Sequence, residues 1–203
     1  MIDHLPRLHV VTDTSVLEAD DFLGRAIEIA HQGPVAMHVR GELPGKRLYE
    51  IASELAQAAP NAVVAVNDRV DVAVTAGVPV VHLPEQGLPL KEVRTLVGTD
   101  VIVGRSLHSP EDAQAALDEG ADYAFLGPIF ATSSHPGRTP LGTAALRGVR
   151  GRVIAIGGIT PDRTPECIDA GAYGVAAISA LWRSPNPGSA AREMLLLLGE
   201  VTS

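Results

Sequence analysis

Apolar residues fall along this chain in short unbroken runs, and a polar residue or a glycine closes most of them. The first four are LHVV from Leu8, VAMHV from Val35, AVVAV from Ala62 and VPVVHL from Val78. VIVG from Val101, YAFLG from Tyr123, VIAIGG from Val153 and YGVAAIS from Tyr173 continue the series. Continuous rather than alternating apolarity predicts parallel strands covered on both faces. Segments with helical spacing lie between most of the runs. LYEIASELAQAA sets Leu48, Ile51, Ala52 and Leu55 on one helix face. SPEDAQAALDEGA has Ser109 as N-cap, Pro110 in the first turn and Gly120 as its stop. TPDRTPECIDAGA repeats that grammar with Thr160, Pro161 and Gly171. Near the C-terminus, RSPNPGS reads as a link and MLLLLGE as the buried part of a last helix.

About eight strand–helix units predict an α/β fold, a single (β/α)8 TIM barrel formed by residues 1–203 as one domain. No G-x-G-x-x-G follows the first run, as a dinucleotide-binding sheet would require. In a barrel, functional groups stand at the C-terminal ends of the strands. The candidates are therefore the residues that close the runs. Arg40 and His38 share one face of the second strand, and a guanidinium is excluded from the apolar layer outside it. Both side chains are expected to face the barrel mouth. There Arg40 either grips a carboxylate or phosphate or pairs with Asp68 or Asp13. Asn67 and Ser106, with Gly127 at the end of strand six, suit the surroundings of a heterocycle. Gly157 and Gly158 before one helix start, and Ala177, Ile178 and Ser179 before another, suit a phosphate held by backbone N–H groups. A bulky residue at Gly158 is then expected to abolish phosphate binding and leave the fold intact.

Histidine supplies the candidate proton carriers. His135 lies in the polar loop that begins near Thr132, and is either a proton carrier or a solvated loop residue. His82 reads as an inward histidine satisfied by a neighbour, and His108 as a residue occupied in capping the next helix. Composition sets limits on partners. Hydrophobic residues are 46% and charged residues 20% of 203, enough for a sizeable core, while aromatics are only 3%. A net charge of −8 weighs against nucleic acid and against anionic membranes. No apolar run approaches a membrane span, and MIDHLPRLHV lacks the features of a signal peptide, so the expected location is cytoplasmic. Cys167 stands alone, and although Asp68 could bind a metal, no H-x-H or paired-carboxylate pattern clearly supplies the further ligands, so neither metal nor cofactor is expected.

LHVVTD, HVR, VNDRVDVA, VHLP, VGRSLHSPEDA, ADYAFLGPIF, AIGGITPDR and AGAYGVAAISALW together resemble the thiamine phosphate synthase and TenI family. The resemblance implies a barrel, a dimer, and a small phosphorylated thiazole held at IGG and ISA. In the synthase branch, an aminopyrimidine diphosphate joins a thiazole phosphate and pyrophosphate leaves, assisted by magnesium. That branch has a lysine soon after the Arg of strand two, where this chain has Gly41-Glu42. It has a metal-binding Asp where Gly87 stands, and a lysine near His135. HVR, the LP after strand four and GRSLHS are more similar to the TenI-type thiazole tautomerase, which shifts a proton on a carboxylated thiazole phosphate without metal. The tautomerase has a catalytic histidine where this chain has Pro128, so the expectation passes to His135 or His38. A non-catalytic thiazole-phosphate binder or regulator is the remaining class.

Overall fold

The structure, a computed structural model, describes residues 5–132 and 137–202. Eight parallel strands close on themselves in sequence order. They are β1 (Leu8–Val11), β2 (Val35–Val39), β3 (Ala62–Asn67), β4 (Val80–Leu83), β5 (Ile102–Leu107), β6 (Tyr123–Leu126), β7 (Val153–Ile156) and β8 (Gly174–Ala177). The ring shuts where Leu8, His9 and Val10 of β1 register with Val175, Ala176 and Ala177 of β8. The expected barrel is therefore observed.

Outside the ring stand α1 (Thr14–Leu17), α2 (Phe22–Ala30), α3 (Gly45–Ala58), α4 (Val70–Ala76), α5 (Leu90–Val97) and α6 (Pro110–Asp118). Then follow α7 (Thr164–Asp169), α8 (Ser179–Trp182) and α9 (Pro187–Leu197). α6 begins as its sequence predicts, with the Ser109 hydroxyl accepting from the Asp112 N–H at 3.0 Å. α7 departs from its prediction. Pro161–Arg163 form a 3₁₀ turn before the helix proper, because Pro165 has no N–H to donate back to Pro161. After β6 the described residues hold only a 3₁₀ turn, Thr143–Leu146, in a stretch punctuated by Pro128, Gly137, Pro140 and Gly142. In the last helix Met194 and Leu195 are buried, but Leu196 and Leu197 face solvent, so the leucine run is buried only in part.

The strands alternate strictly despite their continuous apolarity. Leu8, Val10, Met37, Val64, Val66, Val81 and Val153 point outward into the core shared with the helices. Val11, Ala65, Val80, Tyr123, Phe125 and Ile154 point into the barrel. Three fully buried imidazoles, His9, His38 and His82, complete that interior and pack against both aromatic rings. Gly104 makes room for Tyr123, since a Cβ there would lie 2.1 Å from the phenol ring.

Candidate active site at the mouth of the barrel

Two cavities open side by side at the C-terminal end of the strands and share the wall of Ile156, Gly157 and Ile178. The first, about 260 Å³, is the barrel mouth proper. Val11, Leu107, Phe125 and Pro128 give it an apolar floor and side, and Arg40, Asn67, Ser106 and Gly127 also line it. The second, about 230 Å³, is lined by Thr132, Gly158, Ala177, Ser179 and Arg163.

Arg40 is set in place by its backbone. Thr12 accepts from the Arg40 N–H at 2.9 Å and donates to the Arg40 carbonyl at 2.8 Å. Its guanidinium forms no ion pair among the described residues. Asp13 instead caps α1, accepting from the Val16 N–H at 2.9 Å, and meets Arg183 at 3.3 Å. The pairing of Arg40 with Asp68 or Asp13 is thus not observed.

Beneath the mouth, His38 contacts His9 through Nε2 at 2.9 Å and the Asn67 Oδ1 through Nδ1 at 3.2 Å. It is fully buried and does not line either cavity. The expectation that His38 faces the mouth beside Arg40 is corrected. It shares the inward face, but one layer deeper, with both nitrogens engaged. Burial holds its pKa down to about 4, against the hydrogen bond to Asn67, which raises it. His82 is satisfied by neighbours, as its sequence position suggests: Nδ1 meets the Tyr123 hydroxyl at 2.9 Å and Nε2 the Ser106 hydroxyl at 2.8 Å. Burial keeps His82 and His9 neutral as well, with the nearby imidazole charges acting in the same direction.

His108 is the residue whose role the sequence obscured. Ser109, not His108, caps α6. The His108 ring turns into the mouth, where its Nδ1 bonds the Gly127 carbonyl and its Nε2 lies 4.0 Å from Glu85 Oε2. Arg163 was equally hidden. Its Nη1 donates to the Gly158 carbonyl at 2.7 Å, and its guanidinium lies 4.8 Å over the Phe130 ring, beside the second cavity. His135 lies outside the described residues.

Gly157 and Gly158 have φ of 96° and 64°. A Cβ on Gly157 would meet Pro128 at 2.6 Å, and one on Gly158 the Ala131 carbonyl at 2.5 Å. Glycine is required here by the chain that follows β6, whose Ile129 and Phe130 N–H groups bond the Ile156 and Gly157 carbonyls. The expectation that a bulky residue at Gly158 would spare the fold is therefore corrected.

A barrel with adjoining mouth cavities suits many phosphorylated substrates. The sequence match decides the family, for a profile described as thiamine monophosphate synthase matches residues 8–181. The chain belongs to the thiamine monophosphate synthase family. It is 37% identical over 201 residues to the thiamine-phosphate synthase of Synechococcus sp. (strain WH7803), covering 95% of this chain and 57% of that protein. The chain therefore spans little more than half of that relative's length. It is 38% identical over 182 residues to putative thiamine-phosphate synthase 2 of Aquifex aeolicus (strain VF5), covering 86% of this chain and 97% of that one. Among solved structures, thiamine phosphate pyrophosphorylase from Pyrococcus furiosus superposes with a TM-score of 0.82 at 29% identity, covering 97% of each chain. These relatives carry synthase names, and the narrower likeness to the tautomerase branch finds no support in them.

The family's synthase branch implies a magnesium ion. No group of three His, Cys, Asp or Glu side chains among the described residues is arranged to hold a metal ion. Asp68, exposed at the end of β3, offers a carboxylate, but the strand-four position that would answer it is Gly87. The side chains present do not build a magnesium site of the family pattern. No helix among the described residues is long and apolar enough to cross a membrane.

Proposed function

We propose that this chain is an enzyme of thiamine biosynthesis that seats a thiazole phosphate across the two cavities, ring in the mouth and phosphate in the second. The observation that carries this reading is the shared wall at Gly157 and Ile178, which joins an apolar, polar-rimmed cavity to one bounded by backbone and Arg163. The relatives' names favour a transferase, a thiamine-phosphate synthase in which the thiazole nitrogen displaces pyrophosphate from the aminopyrimidine diphosphate. Arg40, unpaired among the described residues and open to solvent, is the group best placed to meet the diphosphate.

A second reading, the thiazole tautomerase, rests on the composition of the rim. Glu42 and Gly87 replace a cation and a metal ligand, so a diphosphate would meet little compensating charge. The tautomerase needs a carboxylate-binding group and one acid/base, and Arg40 and His108 would supply them. His135 remains a candidate for that proton transfer, and His38 one only through Asn67.

One pair of assays separates these readings. The aminopyrimidine diphosphate and thiazole phosphate are incubated with magnesium, and thiamine phosphate is measured. Separately, the unaromatised carboxythiazole phosphate is supplied and ring absorbance is followed. Thiamine phosphate formed at ordinary enzyme rates supports the synthase, and ring absorbance alone supports the tautomerase. Neither product, with thiazole phosphate still bound, makes the chain a binding protein. No binding of thiazole phosphate overturns the proposal.

A further inference from the structure

The interior of the barrel contains a line of hydrogen bonds that ends at the mouth, running from Tyr123 through His82 to Ser106. Tyr123 and His82 are both fully buried, while Ser106 lines the first cavity. The contacts are 2.9 Å from the Tyr123 hydroxyl to His82 Nδ1 and 2.8 Å from His82 Nε2 to Ser106 Oγ. Neither distance by itself says which atom donates. The direction follows from the phenol. Its one hydrogen-bond partner among the described residues is His82 Nδ1. If Nδ1 carried the proton and donated to the phenol oxygen, the phenol's own proton would be buried without an acceptor, at a cost of about 1–3 kcal/mol. The phenol therefore donates to Nδ1. A neutral imidazole with a bare Nδ1 carries its proton on Nε2 and donates it to Ser106. Burial holds both groups in their neutral forms, pushing the phenol pKa well above and the imidazole pKa well below their ordinary values.

We propose that Tyr123 and His82 are positioning residues that hold Ser106 with its proton free to donate toward the cavity, so that a ligand acceptor there is favoured. With its oxygen already accepting from His82, the Ser106 hydroxyl has its proton left to offer. A carboxylate oxygen or an unprotonated ring nitrogen satisfies that geometry. A ligand N–H or ammonium at the same place reaches only the second lone pair of the Ser106 oxygen and leaves the Ser106 proton without a ligand partner, so it is the poorer match. The site thus favours an anionic or acceptor-edged heterocycle before any reaction occurs. The ligand half of this proposal rests on the thiazole-phosphate reading, whereas the direction of the relay does not.

The test has two parts. In protein carrying 15N-labelled histidine, long-range proton–nitrogen correlation spectra report the tautomer of each ring without any ligand. His82 is expected to be protonated on Nε2, and protonation on Nδ1 would overturn the relay. The second part measures affinity for carboxythiazole phosphate and, as a control, for inorganic phosphate, which needs only the second cavity. Ser106→Ala is expected to weaken carboxythiazole phosphate about tenfold or more, as loss of a hydrogen bond to a charged group implies, and to leave inorganic phosphate unchanged. His82→Leu should lose affinity in the same pattern, while His82→Gln, whose amide can still donate to Ser106, should recover most of it. Full affinity in Ser106→Ala or in His82→Leu sinks the proposal. If the wild type binds neither thiazole compound, the thiazole reading fails instead, and the tautomer measurement still decides the relay.

Discussion

His108 shows how a single ring can be given a role by what one of its atoms touches. The Gly127 carbonyl can only accept, so the Nδ1 bonded to it carries the proton. The nitrogen left with a lone pair in the neutral ring is then Nε2, on the side of Glu85, whose Oε2 lies 4.0 Å away. Gly127 immediately precedes Pro128, the position at which the tautomerase pattern has its histidine. The imidazole that follows β5 thus bonds the residue next to the position that lacks one after β6. In the carboxythiazole assay, His108→Ala should lower kcat by about a hundredfold with little change in KM, as loss of a positioned acid/base implies. An unchanged kcat would return the proton to His135 or to water. Arg163 supplies a second residue-level expectation. Its removal takes the one cation from the wall of the second cavity described here, and Arg163→Ala should weaken inorganic phosphate about tenfold by titration calorimetry, the order expected for one charge-assisted contact. Unaltered phosphate affinity would leave the backbone as the whole site.

At the scale of elements, β7 and the segment that follows β6 form one unit. Ile129 and Phe130 extend the pairing beyond the end of β6, and Gly157 and Gly158 let the two backbones approach. A left-handed φ of 64° and a carbonyl 2.5 Å from the added Cβ act together at Gly158. Gly158→Ala should therefore reduce stability by about 2 kcal/mol or more in urea denaturation, strain and clash combined. A variant as stable as the wild type would mean that the 128–131 segment shifts at little cost. This gives the glycine pair before a helix a cause other than a ligand. Its immediate cause is the packing of one strand end against the next, and the cavity is the space left beside that contact.

For the molecule as a whole, three neutral imidazoles inside the barrel couple the fold to pH. An unfolded histidine titrates near 6.5, whereas folded His38 does so at about 4 and His9 and His82 well below their ordinary value. Between those values the unfolded chain binds protons that the folded chain does not. Stability is then complete above about pH 6.5 and falls as the pH drops toward 4, with His38 alone accounting for on the order of 3 kcal/mol by the lower end. Urea midpoints measured from pH 7.5 to 4.5 should decline steadily. A flat profile over that interval would show that the rings titrate in the folded state as they do in the unfolded chain.

The sequence by itself determined the barrel, because continuous apolar runs alternating with helical periods leave few other ways to bury both faces of each strand. It also indicated ten residues, from Arg40 to Ser179, that line the two cavities, since the ends of parallel strands converge on one rim whatever the loops do. Tertiary structure decided what no local pattern encodes. Whether an inward histidine reaches the cavity or stops a layer below depends on barrel stagger and on the rings beside it, and that separates His38 from His108. Which cation attends the second cavity depends on a turn that folds Arg163 back over Phe130 and Gly158. Strand periodicity specifies the face of a side chain, and only the packed barrel specifies its depth and its partners.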